Sequence, residues 1–168
     1  VDEDEKTIGL HSRCHTRAVF FSNVLGLDMG MFYKRRDYSR VVNGRNPIVA
    51  HEFLGSSVEG KTVLIIDDMI SSGGSMLDTA KQLKAMKARR VYICCTFGLF
   101  TDGLKNFDSA YEHGDIDKVI TTNLTYLPPE IYTRPYFVEA DMSKFIASLI
   151  DFMNHDASLS NVMATTDK

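Results

Sequence analysis

Val63-Leu-Ile-Ile-Asp-Asp-Met-Ile-Ser-Ser-Gly-Gly-Ser75 is the stretch that decides how this chain reads. With the preceding Thr62, its first residues form a short apolar run rich in β-branched side chains, the pattern of a strand buried on both faces of a parallel sheet. The run passes straight into two carboxylates, Asp67 and Asp68. Ser71-Ser-Gly-Gly-Ser75 then opens a helix with Met76, Leu77, Ala80, Leu83 and Met86 on one stripe. In open α/β sheets ligands sit beyond the carboxyl ends of strands, so this junction is a site candidate. Gly73 and Gly74 let the backbone close around a phosphate. Ser71, Ser72 and Ser75 offer hydroxyl donors, and the helix start offers free N–H groups. The adjacent carboxylates suit another part of such a ligand: they accept hydrogen bonds from vicinal sugar hydroxyls or approach a magnesium ion. Either piece alone is ordinary turn chemistry, but the whole run behind a buried strand is specific.

Outward from this run, strands alternate with helices. Upstream, Arg17 to Leu25 favours a short helix with Ala18, Phe20, Phe21, Val24 and Leu25 on one face and Gly26 as its stop. Leu27 to Tyr33 and Ile48 to Phe53 read as strands, separated by the polar loop Lys34 to Asn46. Downstream, Val91 to Phe97 is the next buried strand. Phe100, Leu104, Phe107 and Tyr111 recur at helical spacing up to Gly114. Lys118 to Thr121 is strand-like, Pro128-Pro129 enforces a turn, and Tyr136 to Val138 is the last strand. Asp141 caps a final helix whose Met142, Phe145, Ile146, Leu149, Ile150 and Met153 form core or a subunit interface. This alternation predicts an α/β fold, a parallel doubly wound sheet with helices on both faces. Residues 1–155 form one domain and 156–168 a polar tail.

Composition narrows the function classes. At 168 residues and 44% apolar, the chain can bury one sizeable core but not two. A formal net charge of −3 supplies no basic field for nucleic acid or an anionic membrane, so a small charged metabolite is the expected partner. Cys14, Cys94 and Cys95 show neither zinc-site spacing nor a disulfide framework, which fits a reducing cytoplasm. No segment approaches the roughly 18 apolar residues of a membrane span. His51 reads as a half-buried strand histidine, and Cys94-Cys95 as inert packing.

The run from Asp67 to Met76 resembles the phosphoribosyl-pyrophosphate signature of type I phosphoribosyltransferases, closest to its form in ribose-phosphate pyrophosphokinases. The resemblance extends through Tyr33-Lys-Arg-Arg36 and past Gly98-Leu-Phe, covering most of the chain from about Arg17, and corresponds to the C-terminal half of that family. It implies the type I phosphoribosyltransferase fold and transfer of the β,γ-diphosphoryl group of ATP to the C1 hydroxyl of ribose 5-phosphate, giving phosphoribosyl diphosphate and AMP with magnesium. By the same resemblance Asp67 and Asp68 bind the ribose, and Ser71, Ser72, Gly73, Gly74 and Ser75 hold the 5-phosphate. Lys34 is the transition-state cation of a flexible loop and Arg36 contacts substrate. Mobile cations there stabilise charge spread over the migrating phosphorus.

The pattern breaks in two places. Relatives carry a Ser-Pro-Asp-x-Gly-Gly turn that binds diphosphate and magnesium; Gly9-Leu-His-Ser-Arg-Cys14 has neither the Asp nor the paired glycines, so no metal ligand is assigned. The family's N-terminal half, with its adenine pocket, has no counterpart, so this chain alone is expected to be inactive. The apolar surface that would meet that half favours a homo-oligomer or association with a full-length enzyme. A non-catalytic regulatory subunit and a phosphoribosyltransferase are the competing expectations.

Overall fold

The computed structural model describes residues 5–9, 15–36, 48–158 and 160, with side chains from 17–32, 53–158 and 160. The elements in chain order are β1 (Glu5–Gly9), α1 (His15–Leu25), β2 (Asp28–Arg36), β3 (Ile48–Leu54), β4 (Thr62–Ile70), α2 (Gly74–Ala85), β5 (Arg90–Gly98), α3 (Lys105–Glu112), β6 (Lys118–Thr122), β7 (Phe137–Ala140) and α4 (Ser143–Asn154). They build a seven-stranded sheet in the order β3-β2-β1-β4-β5-β6-β7. Every neighbouring pair is parallel except β2 with β3. A parallel return needs a crossover of about a dozen residues or more. The short polar connection between β2 and β3 favours the antiparallel edge that is observed.

The chain leaves β1 toward β2 and leaves β4 toward β5, in opposite directions across the sheet. Right-handed crossovers therefore place α1 on one face and α2 with α3 on the other. Side-chain alternation agrees. Val63, Ile65, Val91, Ile93 and Val119 share a buried cluster with Met76, Ala80 and Leu83 of α2 and Phe107 of α3. Leu64, Ile66, Cys94 and Ile120 instead line a groove of about 220 Å³ beside Phe21 of α1. The fold is thus the doubly wound α/β architecture, and its switch point lies between the carboxyl ends of β1 and β4.

Several boundaries differ from the sequence expectation. β1 was not marked by pattern at all, yet it is central: Gly9 pairs with Met31 on one side and Ile66 on the other. Among the described side chains of α1 only Ala18 is buried, while Phe20, Phe21 and Val24 are exposed, because the helix rests by one edge on β1, β2 and β4. No residue of α4 is fully buried. Its apolar stripe is only partly covered in the single chain, with Phe145, Ile150 and Met153 exposed and Ile146 and Leu149 half-buried. Phe100 and Leu104 do not join the helix. Gly103 N–H closes a turn on the Phe100 carbonyl at 2.9 Å, and α3 begins only at Lys105. The Pro128-Pro129 turn leads into a short 3-10 turn, Pro129–Thr133. The N-cap of α4 is Met142 and not Asp141, because the Met142 carbonyl accepts the first intrahelical bond; Asp141 lies one residue outside, its Oδ1 accepting from the Ser143 N–H at 2.9 Å and the Ser143 hydroxyl at 2.6 Å.

A further device fastens α3 to the segment that leads into β7. Asp108 accepts from Arg134 Nε at 2.8 Å, from Arg134 Nη2 at 3.0 Å and from the Tyr136 hydroxyl at 2.8 Å. Tyr136 is 1% exposed, so its hydroxyl requires that acceptor.

Candidate functional site

The site is built where β4 ends and α2 begins. Gly73 sits at φ +83°, ψ −9°, immediately before the first residue of α2. An L side chain is strained in that left-handed region, so glycine is the residue that lets the chain turn sharply from strand end to helix. The amides of Gly74, Ser75 and Met76 belong to the first turn and have no intrahelical acceptor. The next one, Leu77 N–H, already bonds the Gly73 carbonyl at 3.0 Å. These orphan donors border a cavity of about 180 Å³ enclosed by the loop from Ser71 to Met76 together with Asp67, Met69 and Ile70. Among the described residues, no hydrogen bond engages the hydroxyls of Ser71, Ser72 or Ser75. The cradle therefore presents amides, hydroxyls and the positive end of a twelve-residue helix to one small volume. The five residues Ser71, Ser72, Gly73, Gly74 and Ser75 come together as the sequence implied.

Asp67 and Asp68 are half-buried near the end of β4, and Asp67 forms part of the cavity wall. Asp67 Oδ1 accepts the Asp68 N–H at 2.8 Å, which fixes the first carboxylate against the backbone. Asp68 is held below the usual carboxylate range. The hydrogen bond from the Asp67 carboxyl is the largest cause; its own amide, the charge of Arg17 and the Met69 amide add to it, and burial opposes it. Arg17, which the sequence reading marked only as a helix start, borders the same region: it and Asp67 both line the groove on the α1 face.

Lys34 and Arg36 lie inside β2, not in the loop that follows it. β3 supplies an antiparallel partner that extends the strand, with Lys34 opposite His51 and Arg36 opposite Ile48. The register also locates them. Met31 is level with Gly9 and hence with Ile66, so Lys34 lies three residues beyond that level, as Met69 does on β4. Two strand spacings, about 10 Å, separate β2 from β4. Lys34 and Arg36 thus occupy the same carboxyl-terminal edge as Asp67 and Asp68. The side chains of Lys34, Arg36 and His51 lie outside the described residues, as do Leu10–Cys14 in the segment that departs from the family pattern.

Supports that the sequence reading missed sit beneath the cradle. Leu99 N–H donates to the Ile70 carbonyl at 2.8 Å and Thr101 N–H to the Ser71 carbonyl at 3.1 Å. The segment after β5 thereby clasps the start of the loop. Phe107 of α3 is fully buried against Gly73. The only local hint was the glycine pair itself, since nothing in sequence says which ring will meet it. Cys95 packs in the core whereas Cys94 is half-buried and lines the groove, and burial pushes the Cys94 thiol up to about 11 and the Cys95 thiol up to about 12. His155 bonds its own helix, the Asp151 carbonyl, at 2.9 Å. Among the described residues, no three His, Cys, Asp or Glu side chains converge as a metal cage, and no helix is long and apolar enough to cross a membrane.

Comparison with known proteins agrees with this geometry. The family model described as "Phosphoribosyl transferase domain" matches residues 5–123. The chain is 38% identical over 87 residues to the ribose-phosphate pyrophosphokinase of Thermococcus kodakarensis, covering 52% of this chain and 29% of that protein. It is 29% identical over 146 residues to the ribose-phosphate pyrophosphokinase of Vibrio cholerae, covering 86% and 43%. Among solved structures, phosphoribosylpyrophosphate synthetase from Mycobacterium smegmatis superposes with a TM-score of 0.74 at 20% identity. It covers 93% of this chain and 47% of that one, a likeness of fold. The chain spans less than half the length of these relatives.

Proposed function

Because this chain belongs to the phosphoribosyl transferase domain family, we propose that it binds ribose 5-phosphate and forms the sugar-phosphate half of a ribose-phosphate diphosphokinase. The reaction moves the β,γ-diphosphoryl group of ATP onto the C1 hydroxyl of ribose 5-phosphate and releases AMP. The observation that carries this reading is the cavity shared by Asp67 and the Ser71–Ser75 loop, with Gly73 turning the orphan amides of α2 toward it.

In this reading the 5-phosphate occupies the cradle, where amides and the helix dipole stabilise its charge. Asp67 and Asp68 accept hydrogen bonds from the ribose hydroxyls, which fixes the sugar and orients C1 away from the loop. Lys34 and Arg36, on the same edge of the sheet, supply the cations that close over the migrating phosphoryl group. Such positioned cations lower the barrier because the transition state spreads negative charge over the equatorial oxygens. Magnesium is consistent with the donor set: it keeps several waters and takes one or two carboxylates plus substrate phosphates, so Asp67 and Asp68 suffice without a protein cage. When bound, the ion would neutralise phosphate charge. Adenine recognition and the remainder of the catalytic centre would come from a longer chain or a partner. The relatives named for this activity are more than twice as long as their matched regions.

Thermal unfolding tests the binding step. Ribose 5-phosphate at a hundredfold excess over its Kd stabilises a native-state binder by about 2.7 kcal/mol. For a chain of this size that raises the midpoint by roughly 5–10 °C. The shift is expected with the natural sequence and lost in Asp67→Asn. No shift in the natural chain would end the assignment.

A further inference from the structure

Two aromatic rings form a wedge under the phosphate cradle. A Cβ built on Gly73 would come 2.3 Å from Phe107 Cζ and 2.5 Å from its Cε2, so the tip of the Phe107 ring presses on the Gly73 backbone. Phe107 in turn meets Phe100 edge-on, with ring centroids 5.2 Å apart and planes at 77°. Phe100 closes the stack against β5: a Cβ on Gly98 would lie 2.7 Å from Phe100 Cε2.

The backbone of Phe100 is itself unusual. It stands at φ +46°, and the ring is 5% exposed. Among the described residues, the other non-glycine positions with positive φ, Lys87 and Asp156, follow the ends of α2 and α4, where that conformation is routine. A bulky aromatic residue held there away from a helix end is a strained position, and such strain persists only where surrounding structure fixes it. Here the fixing contacts are the clasps on the cradle, Leu99 N–H to the Ile70 carbonyl and Thr101 N–H to the Ser71 carbonyl.

We propose that Phe107, backed by the strained Phe100, is a positioning residue for the phosphate loop: its ring sets the height of Gly73 and so aims the amides of residues 74–76 at the anion. This rests on the cradle reading above. The hydrogen bonds at Ile70 and Ser71 hold the start of the loop, and the Phe107 ring is the contact that α3 makes with Gly73 itself. Close-packed aromatic carbon under a glycine pair transmits position because it has no softer arrangement.

The experiment uses the full 168-residue chain. Calorimetry with ribose 5-phosphate compares the natural sequence, Phe107→Leu and the equally small but unbranched Phe107→Met, well below each midpoint. Sub-ångström misplacement of donors costs affinity without unfolding, so both variants are expected to bind about tenfold more weakly. A purely structural residue would lower the midpoint and leave the native-state Kd unchanged. A coupled substitution sharpens the point: Gly73→Ala should cost less affinity in the Phe107→Leu background than alone, because the shorter side chain makes room for the new methyl. Affinities within about twofold of the natural chain, with additive effects of the pair, would overturn the inference. Amide exchange at Leu77 and Thr101, faster in Phe107→Leu if the ring holds the loop, reads positioning without ligand. Failure of the natural chain to bind sugar phosphate would therefore strike the functional reading, whereas unchanged exchange would strike this one.

Discussion

Adjacent glycines in the cradle should respond to the same substitution in opposite ways. At Gly73, alanine must adopt φ +83°, and its methyl must share space with the Phe107 ring. The left-handed conformation costs an L residue about 1–2 kcal/mol. Overpacking against a buried ring adds about 1–3 kcal/mol. The lost freedom of the unfolded chain returns about 0.4–1 kcal/mol. The net is a loss of about 1–5 kcal/mol, drawn from a total that for such domains is only about 5–15 kcal/mol. At Gly74 the nearest atom to a new methyl is Ser72 Oγ at 3.9 Å, and the residue is already helical. Gly74→Ala should therefore gain about 0.4–1 kcal/mol from helix propensity and unfolded-state entropy. Urea unfolding of the unliganded variants, with midpoints compared at constant slope, measures both. Equal midpoints for the two alanines would refute the account of Gly73. Both variants should also bind ribose 5-phosphate more weakly, the Gly73 methyl by pushing the loop off the Phe107 ring and the Gly74 methyl by narrowing the approach to the amides.

The Asp108 clamp predicts a pH signature. Arg134 is the main cause holding Asp108 below its ordinary range, with the Tyr136 hydroxyl assisting and burial opposing. A depressed carboxylate contributes stability that is fully present above its unfolded value of about 3.9 and is lost as pH falls through the folded value. The midpoint of the natural chain should thus fall below about pH 4, and the deficit of Asp108→Asn at neutral pH should shrink in the same window. A deficit independent of pH from 2 to 7 would contradict the assigned linkage. Tyr136→Phe removes one hydrogen bond to that carboxylate and should cost about 1–2 kcal/mol in urea unfolding; no loss would mean the hydroxyl is satisfied elsewhere. Because burial pushes the Cys94 thiol up to about 11, alkylation at Cys94 of the native chain, read by peptide mapping, should be far slower than of a free peptide at pH 8 and should accelerate toward that value. Rapid labelling at pH 8 would show a more open groove than the structure has.

The cradle was legible because its determinants are local. A strand buried on both faces needs a continuous β-branched run, a sharp strand-to-helix turn needs glycine, and the helix behind it needs an apolar stripe. All three lie between Thr62 and Met86 in unbroken sequence. The helix stops at Gly26 and Gly114 were legible for the same reason, with φ +67° and +75°. β1 was not, because Glu-Lys-Thr-Ile-Gly carries little periodic signal. It is a strand by virtue of pairing with β2 and β4 at once. Likewise β2 reaches Arg36 only because β3 lies beside it.

The amino-acid sequence by itself determined the chemistry at the tip of β4: which residues donate, which accept, and where the backbone can bend. Tertiary structure alone decided what holds that chemistry in place. Phe107 meets Gly73, Asp108 meets Arg134 and Arg17 acts on Asp68 across breaks in the chain that no local pattern spans. Short-range preferences act through a residue's own neighbours, whereas buttressing and charge coupling depend on distances set only when the sheet brings its strands together.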